Sequence, residues 1–166
     1  MKHFLLTASL LCLALGPAQA QTAPTPPVQA GPISALDAQN GFRTYVLGAP
    51  IKEYPQLKRK EGVIYESRKE PLLLGNTQLT NLYFTTYQGR LASIVFGTRG
   101  ADNSEALVAS LTQQYGPSTS ANGAAQTWEG NKVTMYVTRV GSGDYEICIV
   151  TLKSNELAAE QKATAK

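Results

Sequence analysis

Leu79-Thr80-Asn81-Leu82-Tyr83-Phe84-Thr85-Thr86-Tyr87, then Gln88-Gly89, then Arg90-Leu91-Ala92-Ser93-Ile94-Val95-Phe96-Gly97-Thr98, is the stretch that decides the fold. Two runs rich in β-branched and aromatic residues flank a turn in which glycine tolerates the positive φ of a tight hairpin. Leu82 and Phe84 share one side of the first run with Thr86, and Ile94 and Phe96 alternate in the second. The pair therefore predicts an antiparallel hairpin with one apolar face.

Downstream, Leu107, Val108, Leu111 and Tyr115 form an apolar stripe at helical spacing, which predicts a helix over Ser104 to Tyr115. Asp102 or Asn103 is placed to cap its N-terminus, and Glu105, three after Asp102, completes a capping-box pattern. Gly116-Pro117 stops it. After a polar loop, Ser118 to Ala125, a three-stranded meander follows: Gln126 to Glu129, Lys132 to Val140 and Tyr145 to Leu152. Its turns fall at Gly130-Asn131 and at Gly141 to Asp144. Val133, Met135 and Val137 alternate with Thr134, Tyr136 and Thr138, the pattern of one buried and one wet face.

Upstream, Phe42 to Val46 reads as a first strand, ended by Leu47-Gly48-Ala49-Pro50. Ile51, Tyr54 and Leu57 suit a short helix that Pro55 keeps brief. Gly62 to Lys69 reads as a further strand, and Gly75-Asn76 breaks the chain after Leu72-Leu73-Leu74. The order predicts an α+β fold, an antiparallel sheet of about six to seven strands with two helices packed on one face. The two helix-then-strands halves share an apolar-Gly-near-Pro theme, at Leu47 to Pro50 and at Tyr115 to Ser118, which suggests a degenerate tandem.

The first 20 residues read as a cleaved signal peptide: Met1-Lys2-His3, an apolar run from Phe4 to Leu15, and Ala18-Gln19-Ala20 for the peptidase. The run is shorter than the roughly 20 residues a bilayer span needs. Leu11 precedes Cys12 where a lipoprotein signal requires a small residue. A proline-rich linker over 21–33 leads to a single domain over 34–153, and the alanine-, glutamate- and lysine-rich residues 154–166 read as a frayed helical tail. An exported protein of the periplasm or the extracellular space is expected, without a membrane span after cleavage.

His3, the only histidine, leaves with the signal, so triads and histidine-ligated metals are not expected in the mature chain. The aspartates Asp37, Asp102 and Asp144 and the pair Glu66 and Glu70 offer no convergent acid and base. No glycine-rich phosphate loop precedes a helix. Neither a cofactor nor a metal is expected. With 15 Lys+Arg against 12 Asp+Glu, and the one basic cluster Lys58-Arg59-Lys60 followed at once by Glu61, nucleic acid is not expected as a partner. Cys148, in an apolar strand, reads as a small buried hydrophobe, and Trp128 as a core anchor.

The positive signal is aromatic. Tyr83, Thr85 and Tyr87 occupy the hairpin face opposite Leu82 and Phe84, and Thr134, Tyr136 and Thr138 occupy the wet face of their strand. Tyrosine and threonine on a sheet face offer apolar area with polar tips, a surface suited to binding another protein. The plainer explanation is that strands favour these residues anyway. The alternative function is carriage of a small apolar or lipid ligand between helix and sheet, near Leu111, Phe84 and Met135.

Gly41-Phe42-Arg43 with Leu47-Gly48, the hairpin from Leu82-Tyr83-Phe84 to Gly89-Arg90-Leu91, the helix end Leu111 to Ser118, and Trp128 with the closing meander together resemble a loosely defined set of small exported bacterial proteins of unknown function. Thr86 departs from them, standing where an aromatic is more usual. As helix-then-sheet units, these segments are also similar to β-lactamase-inhibitor-like domains and to small outer-membrane assembly lipoproteins. Those resemblances imply binding to an unknown envelope or extracellular protein rather than catalysis, and they carry over no functional residue.

Overall fold

The Gln88-Gly89 turn closes as the sequence predicts, with Gln88 and Gly89 both at positive φ. In the computed structural model, which describes residues 32–165, it joins β7 (Asn81–Tyr87) to β8 (Arg90–Arg99). Phe84 pairs with Ile94 and Leu82 with Phe96, and the register shifts between Thr85 and Thr86. The meander forms as β10 (Ala125–Glu129), β11 (Val133–Val140) and β12 (Ile147–Ser154). β12 lies against β8, with Val150 opposite Phe96, so hairpin and meander fuse into one antiparallel sheet.

That sheet has eight strands, one or two more than expected. The extra pieces are too short to show an alternation. Of the strand expected over Gly62 to Lys69 only β4 (Ile64–Glu66) forms; Gly62-Val63 is the turn that joins it to β3 (Lys58–Glu61), which was not expected. The polar loop after the helix contains β9 (Ser120–Asn122), paired to β10. The order across the sheet is β3-β4-β7-β8-β12-β11-β10-β9. The expected strand at Phe42 to Val46 is a separate two-residue ladder, β1 (Gly41–Phe42) and β2 (Tyr45–Val46), because Arg43 takes φ 55° and reverses the chain. A Cβ on Gly41 would sit 1.9 Å from the Tyr45 carbonyl oxygen, so only glycine permits this ladder. The helix expected after Pro50 is a single 3-10 turn, Ile51–Glu53. Leu72-Leu73-Leu74 enters another small ladder, β5 (Leu73–Leu74) with β6 (Thr77–Gln78).

There are three helices among the described residues, not two: α1 (Pro32–Gln39), α2 (Ala101–Tyr115) and α3 (Asn155–Thr164). α1 begins inside the stretch assigned to the linker. α2 starts three residues earlier than expected, at Ala101, with Gly100 at the N-cap position and no side chain capping it. The Asn103 amide donates instead to the Arg99 carbonyl, so the capping box does not form. The tail over 154–166 is helical through Thr164. The Ser154 hydroxyl accepts from the Leu157 amide at 3.3 Å, an N-cap that starts α3 directly from the end of β12.

Register separates the two faces of the sheet. Phe84, Ile94, Phe96, Leu152, Val150, Met135, Val137 and Trp128 point to one side and are buried there with Leu107, Leu111 and Tyr115 of α2 and Leu36 of α1. Phe42 stacks on Phe96 with ring centroids 4.4 Å apart, and Tyr45 tilts against Phe84 at the same distance. Trp128 is a core residue as expected, its indole N–H donating to the Gly116 carbonyl at 2.8 Å. Cys148 is a buried free thiol, and burial pushes its pKa up to about 11, the behaviour of an unreactive cysteine.

Two polar clasps hold the periphery to this core. The Asp37 carboxylate of α1 accepts from the backbone N–H groups of Asn131, Lys132 and Val133 at 2.7, 2.8 and 3.2 Å, fixing α1 to the turn between β10 and β11. Burial alone works to raise the Asp37 pKa, but these three donors and the Lys132 charge outweigh it and hold it below the ordinary value. At the other end, Glu70 takes the Tyr45 hydroxyl at 2.7 Å and the Arg43 guanidinium at 2.9 Å. Burial, reinforced by Glu70, pushes the Tyr45 hydroxyl up to about 12.

Residues 1–31, which carry the signal-peptide reading and most of the linker reading, lie outside the described residues.

Candidate protein-binding face

The second side of the sheet carries the residues that alternate with the core. Reading across one row of cross-strand partners gives Tyr83, Val95, Thr151, Tyr136 and Thr127, from β7 to β10. The next row gives Asn81, Gly97, Ile149 and Thr138, and the one after it pairs Ile147 with Val140. On the other flank, Thr85, Ser93, Lys153 and Thr134 make a further row.

α3 lies over that last row. Leu157 is buried, and the groove beneath the helix is lined by Thr85, Ser93, Lys153 and Ala158 among others. Arg90 pairs with Glu156 and Glu160, and the Tyr87 hydroxyl is 2.9 Å from that of Thr164. Asn155 joins the other corner, accepting from the Thr134 hydroxyl at 2.7 Å and donating to the Gly130 carbonyl.

Tyr83, Thr85, Tyr87, Thr134, Tyr136 and Thr138 thus share one face, but they do not form one free surface. Thr85, Tyr87 and Thr134 belong to the contact with α3. Tyr83 is half-buried, and its hydroxyl accepts from the Lys60 ammonium at 3.0 Å while the same nitrogen lies 4.4 Å from the ring centroid. The hydrogen bonds to Tyr83 and to Glu66 hold the Lys60 pKa above its ordinary value. Tyr136, 42% exposed, and Thr138 remain open, with Lys153 over the Tyr136 ring at 5.4 Å.

The open area contains residues that the sequence reading passed over. Ile147, Ile149 and Val140 are 40%, 41% and 62% exposed. With Tyr136 and the half-buried Val95 they make a contiguous apolar surface across three strands. Their signal was present: Tyr145 to Val150 is apolar at both parities, and an antiparallel strand with one wet face has no need of that.

Glu66 meets Lys60 at 3.3 Å, and Glu70 is taken by Arg43 and Tyr45; both residues border one open pocket of about 330 Å³ together with Arg68 and Tyr83. Among the described residues no group of three or more His, Cys, Asp or Glu is placed to hold a metal ion. No helix there is long and apolar enough to cross a membrane. The space between α2 and the sheet, lined by Phe42, Phe96, Leu111, Tyr115, Met135 and Leu152, is about 120 Å³. Comparison of the chain with protein-family models, with curated proteins and with solved structures finds no match.

Proposed function

We propose that this chain is an exported, non-enzymatic domain of the bacterial envelope or extracellular space that binds another protein through the uncovered part of its sheet. The observation that carries this reading is the exposed set Tyr136, Val140, Ile147 and Ile149, apolar residues grouped on a face whose reverse side already supplies a packed core. Contiguous exposed apolar area of this kind marks an interaction site in soluble proteins. Thr138 and Thr151 lie among these residues and Lys153 beside them, so the surface mixes apolar area with hydrogen-bonding groups, as protein interfaces do. The export reading rests on residues 1–20. The implied kinship with β-lactamase-inhibitor-like and outer-membrane assembly domains points the same way. Carriage of a small ligand between α2 and the sheet has less support, because about 120 Å³ there falls below the roughly 300 Å³ at which ligand pockets begin.

The test is a photo-crosslinking residue placed at Ile149 and, as control, at Gln113, which is exposed on α2. Envelope extract of the producing cell should yield one protein adduct from position 149 and none from 113. Ile147→Ser with Ile149→Ser should reduce capture at least about tenfold with the fold intact. Equal adducts from both positions, or capture unaffected by the double substitution, would refute the assignment.

A further inference from the structure

A second surface lies at the far edge of the sheet, away from the apolar face. A cleft of about 580 Å³ opens beside β3, between Pro55-Gln56 and the chain leaving β4. Its charged lining is Lys58, Arg59, Arg68 and Lys69 against a single carboxylate, Glu66. Glu66 is already engaged by Lys60 at 3.3 Å. Arg59 rests on Tyr65, its guanidinium 5.6 Å from the ring centroid and its Nη2 donating to the hydroxyl at 3.1 Å. Lys58, Arg68 and Lys69 take part in no ion pair among the described residues. Lys58-Arg59 and Arg68-Lys69 are separate in sequence; the β3–β4 hairpin brings them onto one concavity.

We propose that this cleft docks an acidic, extended protein segment, which adds as a strand to the free edge of β3. Two independent observations select that partner. Four like charges gathered in a cleft repel one another, and an anionic occupant removes the repulsion. β3 is also the terminal strand, so its outer row of backbone N–H and C=O groups has no strand beside it among the described residues. Such an edge pairs with an extended peptide, whereas a phosphate-bearing surface uses only the charge. The side chains on the edge, Lys58-Arg59-Lys60, exclude a second copy of the same edge by like-charge repulsion. They admit a strand that alternates carboxylates.

A fluorescein-labelled ten-residue peptide alternating Glu and Thr is the probe, titrated by anisotropy into the protein. Saturable binding is expected, weakened about tenfold by Arg68→Ser with Lys69→Ser, since charge-assisted contacts are lost. Both positions are exposed, so the substitutions leave the fold in place. With the unaltered protein, N-methylation of every peptide bond should weaken binding by a similar factor, because neither edge of the peptide can then donate to β3 while the charge is kept. Equal affinity for the methylated peptide would overturn the proposal. So would an unchanged affinity in the double variant, or binding only to vesicles containing phosphatidylglycerol. None of these outcomes bears on the apolar face, whose crosslinking test uses different residues.

Discussion

β12 shows the two faces of the sheet in a single strand. Cys148, Val150 and Leu152 are buried beneath α2, while Ile147, Ile149 and Lys153 alternate with them and are exposed. The residue types barely differ; the neighbours do. On the first side, Phe96, Met135 and Leu111 close around each side chain, so any lost volume leaves a void. On the second, α3 covers one flank and the rest is open. An isoleucine there contributes little to folding and is available to something else. The comparison teaches that apolar character on a strand does not identify the core, whereas apolar character at both parities identifies a second use.

The contrast can be broken most directly at Phe96, which pairs with Val150 and stacks on Phe42. Phe96→Ala should cost about 3–5 kcal/mol in urea unfolding, the range for large-to-small changes in a closed core. Leu157→Ala comes next. It removes the one buried side chain of α3 and should cost about 2–3 kcal/mol, with faster hydrogen exchange confined to residues 155–164 and to the row Thr85, Ser93 and Thr134. Asp37→Asn should cost about 1–2 kcal/mol near neutral pH, since it weakens charge-assisted bonds at a partly exposed clasp. Because the folded pKa of Asp37 is depressed, the clasp contributes fully above the ordinary carboxylate range. That contribution is lost as pH falls through the folded value, so the gap between wild type and Asp37→Asn should close in acid. The smallest effect belongs to the open face: Ile149→Ser should change stability by no more than about 0.5 kcal/mol. A cost at Ile149 approaching that at Leu157 would mean that the second face is structural after all.

The central half of the fold was legible because its elements are long enough to display a period. α2 shows three turns of one apolar stripe, and β7, β8, β11 and β12 run seven to ten residues between glycine turns. The short ladders β1–β2 and β5–β6 have two residues per strand and no period to read. They depend on Arg43 taking a left-handed conformation and on Glu70 reaching back to Tyr45, contacts across 25 to 27 residues. α3 was legible as a helical segment but not as one docked on the sheet, for a related reason. Only Leu157 anchors it in the apolar sense, and its remaining ties to Arg90 and Tyr87 join residues 66 to 77 apart. Local pattern cannot report such contacts. The Tyr/Thr face was visible as a face, but which part stays open is decided by α3.

The sheet's central seam is formed by its last strand. β12 lies between β8 and β11, so the four-stranded run that precedes α2 has no connection to the meander until residues 147–154 arrive. A chain emerging N-terminus first, from a ribosome or through a membrane channel, holds two incomplete half-sheets with bare edges until that moment. Pairing Phe96 with Val150 then closes a long loop in one step, a contact order that favours slow, cooperative completion. Such a molecule stays threadable for nearly its whole length, at the cost of exposing sticky edges while it waits.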